Sequence, residues 1–397
     1  MIAHERYSNF SWTMPAKHNE KKRILIGLEA AAGGTIKHVV HLASSLNKEA
    51  FDVTVVYSDT RDEPRLSEFL HEMHAHGVEL KCIRMHRSIH PVKDLVSFLK
   101  VMWFILKGRF DVVHAHSSKA GILFRLAAWL CKVPAIFYTP HCFYFQSLKG
   151  AKRKAFIMLE RLGAMVSDKI ILSDGEMRAA RKHKIAGESK LSNINNAIPF
   201  PDSETEKSGL YANHLRQQLG IDSKFVVGSV GRLAPQKGWL DLIKAADYVV
   251  KQNPEVTFLI VGTGQQRSEL ADLITQLNLE KHVILTGYLF DSQAVYQDLD
   301  LYVSTSHWEG LPYTILEAAN FKKTIVATDL GYPTELIDDR CLTEVGDHKA
   351  VAQKILELLS DQALRQEIAE KSHEGIKNCS NYADFVRRHE ALYFLSD

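Results

Sequence analysis

The sequence predicts an α/β protein of two Rossmann-like, doubly wound parallel-sheet domains that face each other across a cleft. The chain has 397 residues, which suits two domains at roughly 100–200 residues each. Short apolar runs alternate with amphipathic stretches in two successive series, a pattern typical of buried parallel strands joined by helices. Between the series, a polar stretch with two prolines interrupts the alternation over residues 195–209.

The first series begins the predicted N-terminal domain, residues 23–199, after a polar extension over residues 1–22. Its candidate strands are 22–28, 53–57, 112–114, 135–138 and 169–172. Gly33 and Gly34 follow the first strand and precede an amphipathic helix that ends near Leu46. Glycine lets a backbone approach a ligand closely, and helix N-terminal amides attract anions. The pair therefore favours an anion site, with an ordinary tight turn as the alternative.

The second series forms the predicted C-terminal domain, residues 200–375. Its candidate strands are 225–230, 256–261, 283–286, 301–304 and 324–327, with helices over 313–320, 350–359 and 363–369. Residues 376–397 are expected to form a helix that returns to the first domain. Doubly wound sheets bind ligands at the carboxyl ends of their strands, so the predicted cleft lies between the two sets of strand ends.

Two cations follow the first strand of the second series, in Gly231-Arg-Leu-Ala-Pro-Gln-Lys-Gly238. Arg232 can bind phosphate oxygens through paired hydrogen bonds, and Lys237 can bind them as a point charge. Their place at a strand's carboxyl end suits a diphosphate. Two solvated loop cations are the alternative.

Two glutamates bracket the most specific segment, Glu309-Gly-Leu-Pro-Tyr-Thr-Ile-Leu-Glu317. Glu309 lies in a Gly/Pro-containing loop, and Glu317 lies about one turn inside the predicted helix, in an otherwise apolar stretch. Carboxylates at a helix N-terminus beside a cleft can accept hydrogen bonds from sugar or ribose hydroxyls. Two surface charges are the alternative.

Three histidines lie at strand ends of the first series: His114, His116 and His141. We expect them to face one ligand on the acceptor side of the cleft, as donors, acceptors or proton carriers. A metal site is the rival interpretation, but no carboxylate or cysteine cluster lies near them in the sequence to favour it. We therefore expect no metal.

The charge is strongly divided along the chain. Residues 1–200 hold 30 Lys and Arg against 18 Asp and Glu, a net +12, whereas the remainder hold 19 against 29, a net −10. The basic half suggests an anionic partner, phospholipid or nucleic acid, although uneven solvated charge is the alternative. One basic segment interleaves cations with apolar residues, as in helices that lie on anionic membranes or simply pack on their own domain; its cations are Lys149, Lys152, Arg153, Lys154 and Arg161.

Five widely spaced cysteines fit a reducing cytoplasm. The first 20 residues lack the apolar core of a signal peptide, and no uninterrupted apolar run approaches about 18 residues. These features predict a cytoplasmic protein, and the basic segment predicts that it is held peripherally on the inner face of the cell membrane.

In their order and spacing, these segments resemble glycosyltransferase family 4, the retaining enzymes with the GT-B fold. The resemblance runs from about Arg23 to His389 and rests on Gly33-Gly34 and the segments 231–238, 261–264, 286–287 and 309–317. The stretches 33–38, 111–121 and 138–141 resemble a branch that makes bacterial capsule, exopolysaccharide or teichuronic-type polymers.

The resemblance implies a role for each matching position. Arg232 and Lys237 would hold the donor diphosphate, Glu309 the transferred sugar and Glu317 the nucleotide ribose. In addition, Gly33 and Gly34 would bring amides to the distal phosphate, His141 would touch the sugar and the acceptor, and the backbone near Gly287 and Tyr288 would recognise the base. The catalytic set is then Glu309, His141, Arg232 and Lys237.

The resemblance also implies transfer with retention by front-face attack, without a protein base, metal or cofactor. Pro312 departs from the family, in which many members have glycine there, and proline has no N–H to donate. The amides of Tyr313 and Thr314 would serve instead. The implied partners are a nucleotide-sugar, with UDP favoured, a glycan or polyprenyl-diphosphate-linked acceptor, and an anionic inner-membrane surface, but no nucleic acid. The alternatives are a GT-B nucleotide-sugar epimerase or hydrolase and a catalytically silent scaffold of a polysaccharide assembly complex.

Overall fold

The computed structural model describes residues 21–29, 33–60, 66–86, 88–199, 214–289 and 292–394, which form two parallel sheets with helices on both faces. Residues 1–20 of the predicted extension and residues 200–213 at the predicted start of the second domain lie outside the described residues. The two-domain α/β prediction is confirmed.

The first sheet has seven strands in the order β3-β2-β1-β4-β5-β6-β7, all parallel. Two of them, β3 and β7, were not predicted. The first is mostly exposed and the second has only three residues, so neither shows the apolar run of a buried strand. The strands are β1 Lys22–Leu28, β2 Phe51–Tyr57, β3 Glu79–Cys82, β4 Val112–His116, β5 Ala135–Thr139, β6 Lys169–Leu172 and β7 Leu191–Asn193.

The second sheet has six parallel strands in the order β10-β9-β8-β11-β12-β13. Its last strand was not predicted, because it is two residues long. The strands are β8 Phe225–Val230, β9 Val256–Val261, β10 Val283–Gly287, β11 Leu301–Ser304, β12 Thr324–Thr328 and β13 Leu342–Thr343.

Helices connect the strands and cover both faces of each sheet. In the first domain they are α1 Gly33–Ser45, α2 Leu66–Ala75, α3 Pro91–Gly108, α4 Ser118–Leu130, α5 Gly150–Met165 and α6 Asp174–Lys182. The rest are α7 His214–Gln218, α8 Trp239–Gln252, α9 Arg267–Gln276, α10 Ser292–Asp298, α11 Tyr313–Asn320, α12 His348–Ser360, α13 Gln362–Cys379 and α14 Tyr382–Phe394. Among the described residues, no helix is both long and apolar enough to cross a membrane.

Helix α14, at the end of the chain, packs on the first sheet rather than the second. Phe385 and Tyr393 are buried in the same core as Ile24 and Ile26 of β1 and the apolar face of α1. The Tyr393 hydroxyl is 2.7 Å from Nδ1 of His114 on β4. Helices α3 to α6 contribute to the separate core on the opposite face of this sheet.

The strand order reverses direction at β1/β4 in the first sheet and at β8/β11 in the second. Such reversals open a crevice at the carboxyl ends of the strands, where doubly wound folds bind ligands. Contacts between the two domains cross this region, including an ion pair of Lys37 with Glu317 and a hydrogen bond from Asn196 Nδ2 to the Leu311 carbonyl (2.6 Å). The candidate site lies here.

Candidate active site between the two sheets

The loop after β8 carries the predicted phosphate-binding cations in a fixed conformation. The Trp239 indole donates a hydrogen bond to the Arg232 carbonyl (3.0 Å), while the Thr305 hydroxyl donates to the Lys237 carbonyl (3.1 Å). Gly238 has φ 65°, and a Cβ there would lie 2.0 Å from the Thr305 carbonyl oxygen, so only glycine fits. The loop leaves the Arg232 side chain exposed.

Lys237 and Glu309 form a buried ion pair at the carboxyl ends of β8 and β11. Lys237 Nζ lies 2.7 Å from Glu309 Oε1, and their side chains are 19% and 7% exposed. The Ser306 hydroxyl donates to the same oxygen (3.3 Å). Burial lowers the pKa of Lys237, but the Glu309 carboxylate, together with Tyr302 and Cys142, raises it above its ordinary value overall. The structure thus keeps a cation and a carboxylate together where a diphosphate and a sugar are expected.

Glu317 is held from both domains. One oxygen accepts a hydrogen bond from the buried Tyr296 hydroxyl (2.7 Å), and the other pairs with Lys37 of α1. Burial, followed by the Glu317 carboxylate, raises the pKa of Tyr296 well above its ordinary value, so the phenol stays a donor. Sequence reasoning missed Lys37 and Tyr296. The signal for Lys37 was its place three residues after Gly34, in the first turns of the helix that follows the glycine pair.

The glycine pair lies directly against the first turn of α11. Gly33 adopts φ 54°, and a Cβ on Gly34 would lie 3.5 Å from the Tyr313 ring. Pro312 precedes α11 and accepts the Ile315 amide through its carbonyl (3.1 Å). The predicted amides of Tyr313 and Thr314 therefore begin this helix opposite the Gly33-Gly34 turn, as an anion between the domains requires.

A tight turn brings His141 and Cys142 to the second domain. Both residues have positive φ, 50° and 74°, which is uncommon outside glycine. The carboxylate of buried Glu176 accepts the Cys142 amide (2.6 Å), and the Cys142 thiol donates to Glu309 Oε2 (3.7 Å). Sequence reasoning missed Cys142 and Glu176, because neither belongs to a recognisable spacing. Glu176 stabilises a turn that the backbone alone disfavours.

His141 is the only one of the three predicted acceptor-side histidines that is partly exposed. Its Nε2 lies 2.9 Å from Nδ1 of His116. Burial lowers the pKa of His141 to about 3, so its imidazole is neutral near pH 7. The neutral ring can donate a hydrogen bond to a sugar hydroxyl or accept one from it, but it carries no charge.

The predicted acceptor-side role of His114 and His116 is wrong, because both are fully buried. His114 forms a hydrogen bond with the Tyr393 hydroxyl through Nδ1 and another with the Thr139 hydroxyl through Nε2 (2.9 Å). Residues two apart on a strand point to the same face. Here that face of β4 is covered by α1 and by the C-terminal helix, so neither ring reaches the cleft.

The predicted base-recognition residues lie at the carboxyl end of β10, an outer strand of the second sheet; Gly287 is its last residue, and Tyr288 follows it. Gly287 adopts φ 79°, and its carbonyl accepts the Gly262 amide (2.8 Å). A Cβ on Gly262 would lie 1.9 Å from the Gly231 carbonyl oxygen. Glycine at 262 thus packs the loops after β8 and β9 together and places Tyr288 beside them.

The single Asp-x-Asp of the sequence, Asp298-Leu-Asp300, lies away from the cleft. Asp298 accepts the Leu215 amide (2.9 Å) at the start of α7, and Asp300 accepts the Val226 amide (2.7 Å) and pairs with Arg216. Both carboxylates precede β11, at its amino end. Their hydrogen bonds hold α7 against the sheet, and neither carboxylate lies at the expected diphosphate site.

The predicted basic helix forms as α5, but its cations divide into two groups. Lys149, Lys152 and Lys154 are exposed. By contrast, Nη2 of Arg153 lies 3.2 Å from His183 Nε2, and Nη2 of Arg161 donates to the His183 carbonyl (2.8 Å). The membrane assignment of these two arginines is therefore corrected, because the C-terminal end of α6 offers them acceptors on the protein.

The two domains match two family models. Residues 33–188 match the glycosyl transferase 4-like domain, and residues 212–375 match glycosyl transferases group 1. A UDP-Gal:alpha-D-GlcNAc-diphosphoundecaprenol alpha-1,3-galactosyltransferase of Escherichia coli is 29% identical over 391 residues, 96% of this chain and 98% of its own length. The capsular polysaccharide biosynthesis glycosyltransferase CapM of Staphylococcus aureus is 26% identical, over 84% of this chain and 87% of its own.

Solved structures show the same fold. The Anabaena protein Alr3699/HepE, in complex with UDP and glucose, superposes with a TM-score of 0.77 at 21% identity, over 93% of this chain and 98% of its own. This likeness confirms the predicted GT-B arrangement of the two sheets.

Proposed function

The chain belongs to the glycosyltransferases that join a glycosyl transferase 4-like domain to a group 1 domain, and from that premise we propose its reaction. It transfers a hexosyl or N-acetylhexosaminyl group from a UDP-sugar, with retention, to a glycan or polyprenyl-diphosphate-linked acceptor of bacterial surface polysaccharide. The observation that carries the proposal is the pairing of Lys237 with Glu309 beside Glu317, opposite the Gly33-Gly34 turn. The names of the E. coli and S. aureus relatives support the donor and the acceptor class.

Different residues bind the diphosphate, the transferred sugar and the ribose of the donor. Arg232 and Lys237 bind the diphosphate and stabilise the charge that develops as it leaves, which is the largest catalytic term in many enzymes. The Glu309 carboxylate accepts hydrogen bonds from hydroxyls of the transferred sugar, and the Glu317 carboxylate accepts them from hydroxyls of the ribose. The Gly33-Gly34 turn and the start of α11 supply backbone amides to the phosphates.

No side chain of this set is placed to act as a general base. His141 is neutral and carries a low pKa, so it orients a sugar hydroxyl rather than holding a proton for transfer. The leaving phosphate oxygen therefore takes the proton of the incoming acceptor hydroxyl on the same face of the sugar, which retains the anomeric configuration.

One assay separates this reaction from its alternatives. UDP release and sugar products are measured for a panel of UDP-sugars, with and without GlcNAc-diphosphopolyprenol. The transferase releases UDP and extends the acceptor only when both substrates are present. UDP release or sugar isomerisation without an acceptor would instead establish the hydrolase or epimerase, and no turnover with any donor would favour the scaffold.

We also infer that transfer needs no metal ion, because Arg232 and Lys237 supply the positive charge that a divalent cation provides in other transferases. The expected rate in excess chelator equals the untreated rate. Loss of activity that only magnesium or manganese restores would contradict this inference.

We further propose that the first domain binds the anionic inner face of the cell membrane. Of the 18 large apolar side chains that are exposed among the described residues, 15 lie between Ile89 and Met165. Thirteen of them lie on α3, α4 and α5, and α4 packs against both of the other helices. We call this surface the apolar face. Large exposed apolar patches mark interaction sites.

The charges around the apolar face select a lipid partner. Residues 86–167 contain 13 Lys and Arg but three acids, Asp94, Asp111 and Glu160, and none of these three is exposed. Trp103 and Trp129 are 60% and 53% exposed on the face, and tryptophan favours the membrane–water interface. Each nearby lysine adds about 1 kcal/mol of attraction to an anionic leaflet. This placement suits an acceptor that is itself held in the membrane.

Vesicle binding tests the membrane proposal. We expect binding to phosphatidylglycerol vesicles that falls steeply with salt and weak binding to phosphatidylcholine. Replacing Lys152 and Lys154 with Glu should abolish binding, whereas the same charge change at Lys349 and Lys377 of the second domain should not. Unchanged binding of the Lys152/Lys154 variant, or a stable dimer that hides the apolar face, would overturn the proposal.

A further inference from the structure

Five histidines form a cluster in the first domain behind the cleft; four of them are buried, and His141 is partly exposed. His38 of α1 lies with its ring centroid 4.7 Å from that of His141 and 5.3 Å from that of His116. His114 and His389 complete the group from β4 and α14. The proposed transfer uses only His141, which leaves the other four rings without a chemical role.

Three of these rings have a buried nitrogen without a hydrogen-bond partner among the described residues, and two of them, His38 and His116, lie beside His141. His38 binds Asn196 Oδ1 through Nδ1 (2.9 Å), but its Nε2 has no hydrogen-bond partner among the described residues. The same holds for Nε2 of His116, which is fully buried, while His38 is 2% exposed. Buried polar atoms without partners are rare in native proteins. The His116 nitrogen that faces His141 is Nδ1, so the unpartnered Nε2 of His38 is the atom that indicates a ligand completing the cluster.

The spacing of the rings fits a metal ion. One ligand atom from each of His38, His116 and His141 lies within 4.8 Å of the other two. Nitrogens bound to one tetrahedral zinc at about 2.0–2.1 Å are roughly 3.3 Å apart, and the His116 Nδ1 to His141 Nε2 distance is 2.9 Å. Small rotations of the rings therefore suffice to form a site.

From this geometry we propose that His38, His116 and His141 bind one divalent transition-metal ion, with zinc preferred. Three imidazoles suit zinc, copper and nickel rather than magnesium or calcium. The partly exposed His141 leaves a fourth coordination position toward the cleft, open to water.

The bound ion inhibits transfer rather than promoting it. It fixes the ring of His141 and occupies the acceptor side of the cleft, whereas the reaction takes its positive charge from Arg232 and Lys237. The inhibition rests on the proposed function, but binding of the ion does not.

Cobalt spectroscopy tests the site directly. The full chain is freed of metal with chelator and titrated with Co²⁺, whose visible absorption reports tetrahedral coordination. We expect one equivalent of Co²⁺ to give this spectrum and Zn²⁺ to displace it. His38→Gln should weaken binding at least tenfold, with the fold checked by circular dichroism.

Two control variants keep the test specific. His389→Gln removes another buried histidine whose Nε2 lacks a partner among the described residues but which lies outside the three-ligand group, and it should bind Co²⁺ normally. His71→Ala with His74→Ala removes exposed histidines one turn apart on α2, and it should also bind normally. Absence of the tetrahedral spectrum, or equal loss in His38→Gln and His389→Gln, would overturn the site.

An activity measurement then tests the inhibition. Saturating zinc should lower the UDP release rate at least tenfold, chelator should restore it, and the activity of His38→Gln should resist zinc. A wild-type rate that zinc leaves unchanged while the cobalt spectrum is present would overturn the inhibition but not the site. If no donor turns over, the proposed function fails and the cobalt titration still decides the site.

Discussion

At the scale of single residues, the site keeps opposite charges together before any substrate enters. Lys237 and Glu309 neutralise each other at 2.7 Å, so neither is a lone buried charge, which would be costly. In the proposed reaction, a diphosphate that arrives beside Lys237 takes over part of this pairing and leaves Glu309 available to sugar hydroxyls. We therefore propose that the same pair stabilises the empty site and recognises the donor.

Lys237→Ala should lower the transfer rate by a factor of about 30 to 1,000, since removing one group that stabilises transition-state charge costs about 2–4 kcal/mol. Arg232→Ala should act in the same range. The rate of UDP release is measured under saturating acceptor.

Lys244→Ala is the matched control, because Lys244 is an exposed lysine on α8, one turn beyond the loop. It should retain the full rate. If both Lys237→Ala and Arg232→Ala turned over normally while folded, the assignment of the diphosphate site would fail.

At the scale of elements, β4 and α14 together determine the state of the histidine cluster. His114 and His116 point toward α14, and their burial, with that of His38, His141 and His389, lowers every one of their pKa values. The pKa of His389 falls to about 4, against about 6.5 for a free imidazole. Protonation is therefore easier in the unfolded chain.

The free energy of unfolding should consequently be greatest above pH 6.5 and fall as the pH drops from 6.5 toward 4, because the unfolded chain takes up protons first. His389 alone contributes on the order of 3 kcal/mol over that window. Urea unfolding at pH 7.5, 6 and 5 measures the effect.

His389→Gln removes one of these titrating groups, so its stability should fall less between pH 7.5 and pH 5 than that of the wild type. His348→Gln, in the second domain, is the control and should leave the pH dependence unchanged. Identical pH profiles for His389→Gln and the wild type would show that α14 does not hold His389 neutral.

At the scale of the whole molecule, an ion pair joins the Glu317 carboxylate to the opposite domain. Lys37 and Glu317 are 23% and 14% exposed, and ion pairs shielded from water are stronger than those on the surface. Because Glu317 is also the proposed ribose ligand, the donor must take over this contact. We therefore propose that this pair, which we call the latch, helps to hold the empty cleft narrow.

Lys37→Gln should increase the radius of gyration of the free protein, and saturating UDP should reverse the increase, because the ligand then joins the domains. Small-angle X-ray scattering measures both states. Lys37→Arg preserves the charge and should scatter like the wild type. A radius that none of these changes affects would count against the latch.

The sequence by itself determined the fold class, and it predicted the donor-side residues. Apolar strands, their alternation with helices and glycines at strand ends are local patterns, and they predicted ten of the 13 strands that the structure describes. The order of Gly33-Gly34, Arg232, Lys237, Glu309 and Glu317 along the chain predicted the family, which the two domain models confirm. Each of these features depends on residues that are neighbours in the sequence.

Only the tertiary structure decided which side chains face the cleft. His114 is turned away from it by Tyr393, 279 positions along the chain, and Glu317 meets Lys37 from 280 positions away. In the same way, Arg153 and Arg161 contact His183 rather than pointing freely into solvent. The packing of α3, α4 and α5 leaves the apolar face exposed. The burial and the pairing of a side chain depend on elements that are distant in sequence. The spacing of neighbouring residues therefore cannot predict them.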